Sequence, residues 1–307
     1  MFIILEFSHF DTTQYFNPVR DESKPKLEFL LNARFESIAY PACQIAQEMD
    51  QSFSSEIELR RSVCPLWLRQ GKAPEAIGST TLLKVGEDAF ALTAAHVLEE
   101  FKDQSVLIGT QNGFRPLVGE VSTSSPPDIT DNAFIRLHPE IADWLAPEYR
   151  FLSLEQVDVG DLPTASSGYE FLGVPYRKVR RADGRLFRFP VYSYASTSIP
   201  ISGYQALGLS PVFHVAVDFV PRRVRDGDGR RITAPNPQGM SGGPIFSRGF
   251  SANAGRRLVA LAIEHRKGVL IGIRIGLVLE PIRWTYPQLR HFLPPLPSHV
   301  RLKNSSD

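Results

Sequence analysis

Cysteine is almost missing from this chain: Cys43 and Cys64 are the only two among 307 residues. Two thiols make neither a disulfide framework nor a metal cluster, and they point to a reducing interior. An excess of one charge is missing too. Lys plus Arg total 34 and Asp plus Glu 33, a formal net charge of +1. No bulk attraction therefore draws the chain to nucleic acid or to an anionic membrane surface. No apolar run is long enough to span a bilayer. The opening Met1-Phe2-Ile3-Ile4-Leu5 is apolar, but Glu6 stops it and no basic leader is present. It reads as a buried strand or packing arm rather than a signal peptide. The location these absences imply is cytoplasmic, with a secreted chain shown without its leader as the alternative.

What is present has a globular balance. Apolar residues make up 43% and charged residues 22%, too apolar for disorder and enough to build a core. The 22 Gly and 24 Pro enrich turns without any collagen-like period.

Residues 1–60 have a helical texture. Leu27, Leu30, Leu31, Phe35 and Ile38 recur at helical spacing, between Pro25 and Pro41. This predicts a helical N-terminal extension, packed on the main body or free to hold a partner. From Val63 onward the pattern changes to short β-like runs. Thr81–Val85 and Ala89–Leu92 around Gly86-Glu87-Asp88 predict a hairpin. Further strands are expected at 106–108, 133–137, 169–172, 186–189, 212–217, 258–262 and 269–271, with a Pro- and loop-rich connection near 139–168. Many short strands in two groups suggest two antiparallel barrels or sandwiches.

Three segments carry chemistry. Leu92-Thr93-Ala94-Ala95-His96-Val97 runs a strand into small residues and then presents an imidazole. Asp131-Asn132-Ala133-Phe134 sets an acid at the head of an apolar strand. Gly239-Met240-Ser241-Gly242-Gly243-Pro244 holds a serine inside a glycine-rich turn. Singly, each has a bland reading: a core histidine, a turn-forming acid, a plain turn. Jointly, in the order His, Asp, Ser, they form the set that makes a hydroxyl nucleophilic.

On these motifs the chain resembles the trypsin-like (chymotrypsin-fold) serine peptidases, of the bacterial or intracellular type. Gly78-Ser79-Thr80 before the histidine hairpin and Gly173-Val174-Pro175 in the second half are weaker points of likeness. The resemblance covers roughly residues 60–290. It implies an all-β fold of two antiparallel β-barrels, the first over 61–150 with His96 and Asp131. The second, over 151–307, carries Ser241 and a C-terminal segment. It also implies a peptide-bond hydrolase acting through an acyl-enzyme. His96 is expected as base, Asp131 as its orienting acid, and the backbone N–H groups of Gly239 and Ser241 as the oxyanion hole. Asp128 is the rival for the acid.

The departures from the family are as informative. Met240 stands where many secreted members carry an acid that pairs with a freed N-terminus. The specificity pocket is expected at Pro235, Asn236, Ala262, Ile263, Glu264 and His265, with no acid at its base. A regulated peptidase of narrow specificity, acting on a protein or peptide substrate, is expected rather than a digestive one, because an unrestrained peptidase inside a cell would be harmful. A regulatory protein engaging the N-terminal extension or the Arg-rich loops at 177–185 and 222–231 is a further expected partner. No metal or other cofactor is expected, since Asp226-Gly227-Asp228-Gly229 lacks the remaining ligands of a calcium loop. Neither nucleic acid nor membrane is an expected partner. Two other readings remain: a catalytically silent binding module on the protease scaffold, and an α/β-hydrolase-type esterase built on the same Gly-x-Ser-x-Gly run.

Overall fold

Strand β1 (Val63–Gln70) shows no inside–outside alternation, because it lies between two neighbours and is covered on both faces; Val63 to Leu68 are all buried. The computed structural model describes residues 58–295, less short segments at 71–72, 102–103, 111–112, 124–130, 161, 163, 165–166, 183–185, 226–230 and 249–254. The predicted extension over 1–60 lies almost wholly outside the described residues, as do Asp128 and Cys43.

Around β1 a seven-stranded sheet curls on itself. It contains β2 (Ala73–Val85), β3 (Asp88–Thr93), β4 (Val106–Thr110), β5 (Gly113–Pro116), β6 (Gly119–Thr123) and β7 (Ala133–Leu137). The order is β5-β4-β1-β2-β3-β7-β6, with every described pairing antiparallel. Helix α1 (Ala95–Glu99) follows β3 directly. The stretch expected as loop after β7 begins instead with helix α2 (Pro139–Leu145). Its first position is Pro139, where a missing N–H costs nothing and the fixed φ suits a helix start.

The second group opens with β8 (Gly168–Gly173) and a hairpin of β9 (Arg180–Ala182) and β10 (Leu186–Arg188). Then come β11 (Tyr192–Thr197), helix α3 (Ile201–Ala206), β12 (His214–Asp218), and a short pair, β13 (Val224–Arg225) with β14 (Arg231–Ile232). The two Arg-rich segments thus fall on these hairpins. Strands β15 (Pro244–Arg248), β16 (Arg257–Arg266) and β17 (Val269–Arg274) complete a six-stranded sheet of order β11-β8-β15-β16-β17-β12. A Ser198–Val217 bridge joins its two ends and closes it. Two curled antiparallel sheets with few helices make the double β-barrel of chymotrypsin type that the sequence predicts. This antiparallel layout excludes the α/β-hydrolase fold, which needs parallel strands alternating with helices.

Two C-terminal helices, α4 (Ile275–Leu279) and α5 (Pro287–Phe292), run back to the first sheet. Tyr286 stacks edge-on to Phe90 at 5.6 Å, and its hydroxyl donates to Asp88 Oδ2 at 2.7 Å. Among the described residues no helix is long and apolar enough to cross a membrane. Cys64 is fully buried as a free thiol, and burial pushes it up to about 12.

Candidate active site

Strand β3 ends at Thr93, Ala94 stays extended (φ −77°, ψ 142°), and the chain turns into α1. Ala94 and Ala95 are fully buried, so the small residues read as turn-formers before the histidine are packed against the sheet. The turn leaves His96 facing a cleft, its side chain 47% exposed. Gly78 makes room for this helix. A Cβ there would meet Val97 Cγ1 at 2.7 Å, far inside contact distance.

Asp131, one residue before the buried Asn132 and two before β7, holds His96 twice. Its Oδ2 lies 2.6 Å from Nδ1, and its Oδ1 accepts the His96 backbone N–H at 2.9 Å. This hydrogen bond is the main cause that holds the imidazole above its ordinary range, against burial, which lowers it. Asp131, Glu100 and Glu264 add weaker charge attraction.

Ser241 stands on the turn between Gly239 and β15. The turn is possible because Gly239 and Gly242 sit at φ +96° and +88°, where side chains other than glycine's are strained. Space is as decisive as φ at Gly242: a Cβ there would lie 2.0 Å from the Ser79 carbonyl oxygen. The Ser241 hydroxyl donates to Ile263 O at 3.2 Å. Ile263 is the unpaired residue of a bulge in β16, between Ala262 and Glu264, and so offers a carbonyl outside the ladder.

The peptide groups beside the serine have a fixed sense. Tyr176 N–H donates to Gln238 O at 3.2 Å, and Gly243 N–H donates to Met240 O at 2.9 Å. A planar trans peptide points its N–H opposite to its C=O. Anchoring those two carbonyls therefore turns the Gly239 and Ser241 N–H groups the other way. Among the described residues neither N–H has a protein acceptor.

His96, Asp131, Gly239 and Ser241 line one cleft of about 940 Å³. Of the expected pocket residues, Asn236, Ala262, Ile263, Glu264 and His265 line it as well, whereas Pro235 does not and its neighbour Pro237 does. The sequence reading missed Phe171, Met240 and Leu270 as apolar lining, and Glu75, Glu100 and Tyr176 as further lining. Met240 was noted only as a missing acid. It is buried in an apolar cluster with Phe171, Ala262 and Leu270, surroundings in which a carboxylate would be costly. Burial lowers the His265 imidazole, whose ring packs edge-on to Phe219 at 5.0 Å. Glu264 is exposed and lies 3.5 Å from Arg266.

No protein-family model and no curated protein sequence matches the chain. Solved structures do align with it, and several of them are serine proteases. The serine protease domain of the Sesbania mosaic virus polyprotein is 16% identical, covering 72% of this chain and 91% of its own, at a TM-score of 0.43. The serine endoprotease from Yersinia pestis is 14% identical, covering 78% of this chain and 66% of its own, at 0.46. The HtrA-type protease AlgW with decapeptide is 14% identical, covering 76% and 66%, also at 0.46. These likenesses are distant, so the functional reading rests on the cleft itself.

Proposed function

We propose that this chain is a serine endopeptidase, with His96, Asp131 and Ser241 as its catalytic residues. One observation carries the reading. An imidazole fixed by a carboxylate at 2.6 Å shares a cleft with the Gly239 and Ser241 N–H groups, which have no protein acceptor among the described residues. Turnover begins when the Ser241 hydroxyl leaves the Ile263 carbonyl and rotates toward His96. Oγ attacks the substrate carbonyl carbon as its proton passes to His96 Nε2. Asp131 keeps Nδ1–H and stabilises the imidazolium. The oxyanion accepts hydrogen bonds from the Gly239 and Ser241 N–H groups. Collapse breaks the C–N bond, and His96 gives its proton to the leaving amine. Water, deprotonated by the same imidazole, then releases the acid and restores the hydroxyl.

Phe171, Met240, Ala262 and Leu270 favour an uncharged apolar side chain before the cut. With no acid beside the serine to pair with a freed N-terminus, activation by propeptide clipping is disfavoured. A regulated enzyme of narrow specificity, working in the cytoplasm, fits these features. A catalytically silent module is the second reading, favoured by the Ser241 hydroxyl's bond to Ile263 rather than to His96. A fluorophosphonate probe separates the two. Selective modification of Ser241, abolished in Ser241→Ala, supports the enzyme; no modification of the folded protein across pH 6–9 supports the silent module. Mapping new N-termini in cells carrying the wild type or Ser241→Ala would then identify the substrate.

A further inference from the structure

Ser79 lies on β2, in the first barrel, and is fully buried. Every polar group it has is engaged, and all but its carbonyl reach the second half of the chain. Its N–H donates to Ser241 O at 2.8 Å. Its hydroxyl donates to Gly239 O at 2.8 Å and accepts from Val174 N–H at 2.9 Å. Its own carbonyl accepts from Thr93 Oγ1 at 2.9 Å.

We infer that Ser79 is a positioning residue for the oxyanion hole. This rests on the peptidase reading and adds a residue to it. The Gly239–Met240 peptide lies between the two peptides whose N–H groups face the cleft. Its carbonyl is held by the Ser79 hydroxyl and its N–H by Pro237 O at 2.9 Å. A flip of this unit would lose both bonds inside a buried site. The same hydroxyl, through Val174 N–H, fixes the segment that carries Tyr176. The Tyr176 N–H in turn anchors Gln238 O and so aims the Gly239 N–H. One side chain from the first barrel thus secures both sides of a hole built by the second. Its hydroxyl touches no reacting atom; it acts through Gly239 and Val174.

The experiment compares the rate of fluorophosphonate labelling at Ser241 in four full-length proteins: wild type, Ser79→Ala, Ser79→Cys and Thr80→Ala. Thr80 is the control. It is equally buried, but its hydroxyl donates to Leu92 O within the first barrel and touches nothing in the serine turn. Ser79→Ala should slow the inactivation step by about 100-fold, the scale of a misplaced or weakened oxyanion donor. The probe's initial binding constant and the pH midpoint set by His96 should not move. Ser79→Cys, with a weaker donor, should fall between the two, about 10-fold below wild type. Thr80→Ala should lower stability yet label at the wild-type rate. Folding of each variant is checked by circular dichroism, and Ser79→Cys carries the comparison if Ser79→Ala does not fold. Labelling of folded Ser79→Ala or Ser79→Cys within threefold of wild type would overturn the role, as would an equal slowing in Thr80→Ala. If the wild type itself is not labelled, the peptidase reading fails and this role falls with it.

Discussion

Replacing Asp131 by Asn tests the proposed chemistry at its least forgiving point, because the two carboxylate oxygens have different tasks. Oδ1 accepts the His96 backbone N–H at 2.9 Å, and Oδ2 faces Nδ1 at 2.6 Å. An amide has one acceptor oxygen. The backbone N–H can only donate, so it claims that oxygen and leaves the NH2 group against Nδ1. The imidazole must then accept at Nδ1 and carry its proton on Nε2, which is the nitrogen that should take the serine proton. The expected loss of turnover is about 10⁴-fold, or roughly 5 kcal/mol of transition-state stabilisation. Folding should hardly respond. The His96 and Asp131 side chains are 47% and 25% exposed, so solvent screening keeps the pair's contribution to stability on the order of 1 kcal/mol. The pH midpoint should also move down, because the Asp131 hydrogen bond is the largest cause raising His96. Single-turnover labelling of Ser241 between pH 5 and 9, alongside urea denaturation, reads all three quantities. Retention of more than a hundredth of the wild-type rate, with Ser241 still labelled, would refute the tautomer argument.

In the wild type the labelling rate should climb through one ionisation above 6.5, since the base must be neutral and Asp131 raises its affinity for the proton; a rate independent of pH from 5 to 9 would contradict this base. The same raised affinity makes His96 contribute to stability below pH 6.5, and the contribution fades as pH rises through the folded-state midpoint. Gly242→Ala should leave little folded protein, because its Cβ would lie 2.0 Å from the Ser79 carbonyl oxygen at a φ of +88°; a native circular dichroism spectrum would count against the tight inter-barrel contact. Tyr286→Phe removes a hydrogen bond to a carboxylate and should cost about 1–3 kcal/mol in urea melts at pH 7. Tyr286 is pushed up to about 12, so wild-type stability should decline from about pH 10 as the unfolded chain ionises first, by more than that of the Phe variant.

The residues that do the proposed chemistry were legible because they sit in short contiguous runs. Thr93 to His96, Asp131 to Phe134, and Gly239 to Pro244 each combine a functional group with the small or turn-forming neighbours that present it. The hairpin around Gly86 was legible for a similar reason: alternation and a glycine at φ +62° are local signals. What escaped depends on distant parts of the chain. The contacts of Ser79 depend on partners 95 and 160 residues away, and a serine in a strand gives no sign of them. Phe171 and Leu270 look like ordinary core positions, and they are buried ones; that they back the cleft depends on the pairing of distant strands. The bulge at Ile263 is invisible in an unbroken apolar run from Leu258. Helix α2 was hidden because Pro139 and Pro147 mark the stretch as irregular, although a proline at the first helical position is compatible with a helix.

The direct backbone hydrogen bond from Ser79 to Ser241, with Thr81 Oγ1 reaching Gly242 O at 2.9 Å beside it, has a mechanical corollary. The two barrels are riveted together at the turn that carries Ser241, the proposed nucleophile. A hinge that swung them apart would pull the serine turn out of shape before it widened the groove. In the peptidase proposed above, long or bulky chains would therefore enter from the solvent side, sliding across the rim rather than being swallowed by jaws. In that enzyme any on–off control would act on the loops and side chains that border the groove, leaving the seam beneath it unmoved.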